Sequence, residues 1–347
     1  MNKQRSDVQK TGINTGTDTR YDIAVSIAKV IAMLLIINSH SDVLFPKKLS
    51  FLATGGALGN ELFFLTGGYL FKVKNDRFGA FCWKRYIRLY IPTYLMTIFL
   101  FLVGYIHLQE FNSVKEIFHL LIWPSQFWFV SAIFVFSIIQ YFLVKTNLFQ
   151  STKAFTIYTC VFAGLVILMY WAAVPNKTEW IVEDARLFNT TVYFKCIYSF
   201  YVYTLGYYLK VNKCKWETTK NKGMWAAAFL ASFILFYGFK YLISKKATYM
   251  PLQIISQFIT VACVVSLLIA LEKWIRINNN RIAGAINSLS RITLESFLVQ
   301  FQIIGFIAGT GVVFPVNYLG AVILVLGISY IFHYVNTKIC GYILKRG

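Results

Sequence analysis

The sequence predicts an all-α, polytopic membrane bundle of about ten transmembrane helices. Three observations carry this reading. Of the 347 residues, 57% are hydrophobic and 14% are charged, against roughly 25% charged in an ordinary globular domain. Apolar runs long enough to cross a bilayer recur from end to end, and the mean hydropathy is +0.58. Lys and Arg concentrate in every second connection between those runs, the pattern by which membrane proteins fix their orientation. Such a composition excludes a disordered chain, a secreted disulfide scaffold and a soluble enzyme. It also excludes a β-barrel, whose strands read as short alternating segments.

Taken in order, residues 1–20 form a polar arm of mixed charge. No basic region followed by an apolar stretch and a cleavage site is present, so the first span reads as an uncleaved anchor. Spans begin near Ile23, Gly56, Ile87, Phe127, Ala154, Thr191, Met224, Pro251, Ala283 and Tyr318. The first is interrupted by Lys29 and ends at His40. The third follows a basic stretch that ends at Arg88. An earlier start is open for the fourth, because Ile117–Ile122 is apolar too, and the ninth carries Arg291 and Glu295. The organisation expected is an arm over 1–20, one transmembrane domain over 21–340 and a tail over 341–347.

The arm, the tail and the even-numbered connections together hold 24 of the 34 Lys and Arg residues, and the odd-numbered connections hold 8. This split places both termini in the cytoplasm. It also accounts for the net charge of +20 without nucleic acid, since the basic residues form no continuous patch. Cys82, Cys160, Cys196, Cys214, Cys263 and Cys340 include no CxxC spacing, so neither a metal site nor a redox motif is expected.

Ionisable residues inside spans are costly and mark cavities or partners. Asp22, Lys29 and His40 are 7 and 11 residues apart, steps that return to within about 20° on a helix. They share one face, with Lys29 about 16 Å inward of His40. A buried, hydrogen-bonded Lys and an interfacial His are the alternative reading. His40 lies in Asn38-Ser39-His40-Ser41-Asp42. Histidine suits proton transfer near neutral pH, and Asp42 is placed to orient its ring. Glu61, after Asn60, falls at a similar depth in the second span. Gly67 and Gly68 follow it, and admit close helix packing. Arg85 and Arg88, three residues apart and next to Lys84, suit phosphate through their planar donor forks, or anchor the chain to headgroups. Glu295 pairs with Arg291 at i, i+4 or with Lys29 across the bundle. Trp128 sits where an interface anchor belongs. His107, His119 and His333 have no acidic neighbour at ligand spacing.

Four of these elements, in register over residues 20–300, resemble the acyltransferase-3 family of integral membrane acyltransferases. Lys29 and His40 match its basic residue, ten positions, then His, with Lys where Arg is commoner. Glu61-Leu62-Phe63-Phe64-Leu65-Thr66-Gly67-Gly68-Tyr69 is similar to its second-span motif, with Gly67 where Ser is usual. Arg85, Arg88 and Pro92 resemble its Arg-x-x-Arg with a following Pro. Ser290 to Gln300 resembles its late Ser-x-x-Ser/Thr segment, with Gln300 where many members have His.

The resemblance implies transfer of an acyl group, usually acetyl, from cytoplasmic acetyl-CoA to a sugar hydroxyl of a bacterial surface polysaccharide or its lipid-linked precursor, at the cytoplasmic membrane. The residues then permit a mechanism in which Lys84, Arg85 and Arg88 bind the CoA phosphates, His40, oriented by Asp42, takes the acceptor proton or briefly carries the acyl group, and Lys29 stabilises negative charge near the thioester. Asn38, Asn60, Glu61, Trp128, Glu295 and Gln300 become candidate acceptor-site residues. A polysaccharide flippase or polymerase, without acyl transfer, is the rival reading. A non-catalytic receptor or scaffold is a second.

Overall fold

The computed structural model describes residues 23–73, 77–104, 113–124, 127–173, 190–213, 216, 222–245, 253–274 and 280–346; Asp22 lies outside them. Among the described residues there are twelve α-helices and no strand. They are α1 (Ile23–His40), α2 (Gly56–Tyr69), α3 (Phe78–Leu102), α4 (Val114–Leu121), α5 (Trp128–Leu143) and α6 (Thr152–Ala173). After them come α7 (Thr190–Val211), α8 (Lys222–Lys245), α9 (Gln253–Trp274), α10 (Asn280–Arg291), α11 (Thr293–Ala308) and α12 (Val316–Arg346).

Most of these helices are apolar on every side rather than along one stripe, the pattern of helices that face protein on one side and lipid on the other. Large side chains such as Leu168, Leu230, Ile234, Ile323 and Ile331 stand exposed on α6, α8 and α12. In water, apolar surface on that scale drives aggregation; in a bilayer it meets hydrocarbon. Five helices, α1, α6, α8, α9 and α12, have the length and apolarity to cross a membrane. The pair α10 and α11 adds a sixth if it is one broken span. The chain is a multi-pass membrane protein.

Three expected spans differ from the structure. Helix α3 begins at Phe78, nine residues before the expected start, because Lys and Arg are good helix formers and carry the helix beyond the apolar run. The stretch Ile117–Ile122 does not extend the fourth span. It belongs largely to the separate helix α4, whose N-cap Ser113 accepts from the Glu116 amide at 3.2 Å. Pro124 then disfavours helix at the residue before it, and α5 starts afresh at Trp128.

The ninth span is broken at Ile292, where α10 and α11 meet at a bend of 63°. Lys29 Nζ donates to the Ser290 carbonyl at 2.5 Å, and Thr293 Oγ1 reaches the same oxygen at 3.3 Å. In an unbroken helix that carbonyl would accept the amide four residues on. A side chain inserted into the ladder kinks a helix, and here the intruder comes from α1.

Helix α2 runs between α1 and α7 at backbone contact. Gly59 lies against the Ala32 carbonyl of α1, where a Cβ would stand 2.8 Å from the oxygen. Against α7 the fit is tighter still. A Cβ on Gly68 would sit 1.8 Å from the Tyr203 carbonyl oxygen, and one on Gly206 would sit 2.0 Å from that of Leu65. Small residues at such crossings let membrane helices approach closely. The result puts residues near the start of α2, the end of α1 and the first half of α7 at one end of the bundle.

The connection over residues 41–55 covers that end. It holds two 3₁₀ turns, Asp42–Leu44 and Lys47–Leu52. Asn38 Nδ2 donates to the carbonyls of Leu52 at 2.7 Å and Thr54 at 2.9 Å. Asn317 Nδ2 donates to the Leu44 carbonyl at 2.9 Å, and Lys240 donates to the Thr54 hydroxyl.

Candidate active site

His40 ends α1, half-buried, with its ring against Phe301 of α11 at 4.4 Å between centroids. Because α1 and α2 are antiparallel, with Gly56 against Ser39 and Gly59 against Ala32 and Ile36, Glu61 lies about 7.5 Å deeper in the bundle than the end of α1, not level with His40 as expected. It is 4% exposed. Its Oε1 accepts from Ser199 Oγ of α7 at 2.9 Å, while its Oε2 is buried without a hydrogen-bond partner. One helical turn before Ser199, the half-buried Lys195 sets its ammonium 4.8 Å from the centre of the Trp128 ring. That ammonium is within electrostatic range of both His40 and Glu61. Gln300 is fully buried; its Nε2 is 3.5 Å from the Phe297 carbonyl, and its Oε1 has no partner.

The structure therefore links His40, Glu61 and Trp128, from three helices, through Lys195 of α7, with Ser199 on Glu61; Gln300 lines the cavity beside Met33 and Ile37. Asn60 is half-buried beside Glu61. Asp42 is exposed in the turn after His40 and makes no hydrogen bond to the ring; it acts on His40 only through space. Asn38 uses both amide protons to hold the 41–55 connection.

At the other end of α2 the chemistry is cationic. The half-buried Arg85 lays its guanidinium over the rings of Phe71 at 5.2 Å and Phe81 at 5.7 Å, a cation–π arrangement. Lys210 Nζ donates to the Phe71 carbonyl at 2.6 Å. Lys84 and Arg88 are exposed on the same turns of α3. Along α2 this end lies about 12 Å from Glu61 and about 20 Å from the His40 end.

Between the ends lies a second buried polar group. Glu295, 4% exposed, accepts at Oε1 from Asn336 Nδ2 at 3.3 Å and faces His333 Nδ1 at 2.9 Å. This corrects two expectations. Glu295 is not held by Arg291 at i, i+4, because the break at Ile292 puts the two on different helices. His333 does have an acidic partner, 38 residues away in sequence and supplied by α11. Lys29 hydrogen-bonds the Ser290 carbonyl and has Glu295 only within electrostatic range. A cavity of about 10 Å³, lined by Met33, Ile37, Phe63, Phe129, Thr293 and Gln300, separates this group from His40. Among the described residues no three His, Cys, Asp or Glu side chains converge as metal ligands would.

A family model described as an acyltransferase domain, that of the acyltransferase-3 family, matches residues 22–334. The chain belongs to this family. No curated protein and no solved structure matches it. The match takes in every residue of both polar groups except Asn336. This membrane acyltransferase thus carries, inside its acyltransferase domain, an imidazole and a buried carboxylate within electrostatic reach of one ammonium. Sequence marks Lys195 only as a basic residue within a span. Its spacing of four to Ser199, facing the same partner helix, was the available signal.

Proposed function

We propose that this acyltransferase moves an acetyl group from cytoplasmic acetyl-CoA to a hydroxyl of a bacterial surface polysaccharide or its lipid-linked precursor. It would do so in the cytoplasmic membrane with both termini in the cytoplasm. The observation that supports this reading is the division of polar residues along α2. A cationic mouth lies at the Arg85 end, and a group with an imidazole, a carboxylate and an amide lies at the His40 end. Phosphates are bound by cations; a sugar hydroxyl is activated by a base. Lys84, Arg85 and Arg88 hold the CoA phosphates through charge-assisted hydrogen bonds. The thin pantetheine arm enters between the helices past Lys29. His40 takes the proton of the acceptor hydroxyl as that oxygen attacks the thioester carbon. Glu61, Asn60 and Gln300 hold the acceptor.

Sealed inverted membrane vesicles from the source cells, given radiolabelled acetyl-CoA, test this. Base-labile label should appear on glycan in inverted vesicles and not in right-side-out ones, and vanish when the gene is deleted. Deletion that leaves labelling intact refutes the activity; labelling in right-side-out vesicles refutes the orientation. A flippase or polymerase would need no acetyl-CoA.

Arg85→Ala should weaken CoA binding about 10- to 150-fold, the loss of one charge-assisted phosphate contact worth roughly 1.5–3 kcal/mol, with the membrane level of the protein retained. Arg85→Lys should fall between, because it keeps the charge but loses the planar fork over Phe71 and Phe81. Equilibrium dialysis of CoA reads both. Unchanged affinity would assign Arg85 to membrane anchoring.

A further inference from the structure

The group around His40 contains donors and acceptors that the protein leaves unmatched. Glu61 Oε2 and Gln300 Oε1 are buried acceptors with no donor. A carboxylate oxygen or amide oxygen left dry in this way costs roughly 1–3 kcal/mol, so such atoms are kept where a ligand completes them. Within electrostatic reach of Glu61 and His40 is Lys195, whose ammonium carries three donors. It makes no hydrogen bond and no ion pair among the described residues. Ser199, not Lys195, donates to Glu61. What fixes the ammonium is the face of Trp128, at 4.8 Å, which attracts a cation without taking up its N–H groups.

Lys29 is differently placed. Its ammonium is given to the Ser290 carbonyl at 2.5 Å, and it is eleven residues, about 16 Å, from His40 along α1. A charge that forms within reach of His40 meets Lys195 and not Lys29.

We propose that Lys195 is a catalytic residue that stabilises the oxyanion of the acyl-transfer step, in place of Lys29. This rests on the acetyl-transfer reading above. The acceptor oxygen bonds to the thioester carbon while its proton passes to His40. The carbonyl π pair moves onto oxygen, giving a tetrahedral oxyanion against the Lys195 ammonium. Collapse restores the carbonyl and breaks the carbon–sulfur bond; the departing thiolate takes the proton back from His40, leaving ester and free CoA. A fixed cation in a site that excludes water stabilises such charge with little reorganisation. The Trp128 ring face provides the fixing.

The test uses the inverted-vesicle assay with radiolabelled acetyl-CoA on the full-length protein. Lys195→Met should lower the maximal labelling rate by about 10²–10³-fold, with the half-saturating acetyl-CoA concentration and the CoA binding stoichiometry unchanged. Lys195→Arg should recover at least about a tenth of the wild-type rate, since it returns the cation. A merely structural Lys195 would instead lower the amount of folded, CoA-binding protein and leave the rate per binding site alone. Should Lys195→Met fail to accumulate, Lys195→Gln takes its place, being polar and of similar reach but uncharged. A Met or Gln variant that keeps more than half the wild-type rate per binding site overturns the proposal while leaving acetyl transfer standing. Absence of labelling by the wild-type protein overturns both.

Discussion

His40→Ala is expected to abolish transfer while protein level and CoA binding survive. General-base catalysis contributes on the order of 10²–10⁴-fold, far more than the loss of one ring contact with Phe301 would produce. Radiolabel transferred per CoA-binding site in inverted vesicles measures it. Asp42→Asn should be much milder, because Asp42 is exposed, and charges in water couple weakly. Retention of more than about a tenth of the wild-type rate by His40→Ala rules out proton transfer by this residue and moves the base to Glu61.

The second large effect concerns stability. Gly68→Ala puts a methyl carbon 1.8 Å from the Tyr203 carbonyl oxygen, and Gly206→Ala puts one 2.0 Å from that of Leu65. Both obstacles are backbone, so no rotamer change relieves them and α2 must part from α7. Overpacking typically costs about 1–3 kcal/mol and at times more; contact with a rigid main chain belongs at the upper end. Either variant should unfold at markedly lower temperature in detergent and lose activity as well, since Glu61 is on one helix and Lys195 and Ser199 are on the other. Gly164→Ala and Gly327→Ala, where an added Cβ meets nothing within 4 Å, should match or exceed wild type, alanine being the better helix former by up to about 1 kcal/mol. Equal unfolding temperatures for Gly68→Ala and Gly164→Ala would refute the close-contact account.

Where a helix depends on its own run of apolar residues, the sequence reading finds it. Helices α1, α2 and α5 to α9 begin within two residues of the expected positions. The third and fourth spans miss for local reasons, the helix-forming Lys and Arg before Ile87 and the stop at Pro124; the ninth fails where a distant side chain decides. The break at Ile292 has its cause in Lys29, 261 residues from Ser290, and no local pattern around Ile292 announces it. Glu295 and His333 are likewise apart in sequence, so spacing rules written for one helix miss them. The candidate site divides in the same way. His40 and Glu61 stand out because charge inside a span is rare. Lys195 is as rare, but its meaning depends on Trp128 of α5 and on the side of α7 that faces Glu61. Asn38 shows the converse, a polar residue two positions before His40 whose amide serves the loop above it.

The narrow cavity between the two polar groups has a consequence for the order of events in transfer. Its volume is about 10 Å³, close to the least that admits a single water. Thr293, Ser296 and Gln300 line it together with Met33, Ile37, Phe63 and Phe129. In this conformation the passage is too narrow for the pantetheine arm, so transfer requires side chains such as Met33, Phe63 and Phe129 to swing aside before the thioester can reach His40.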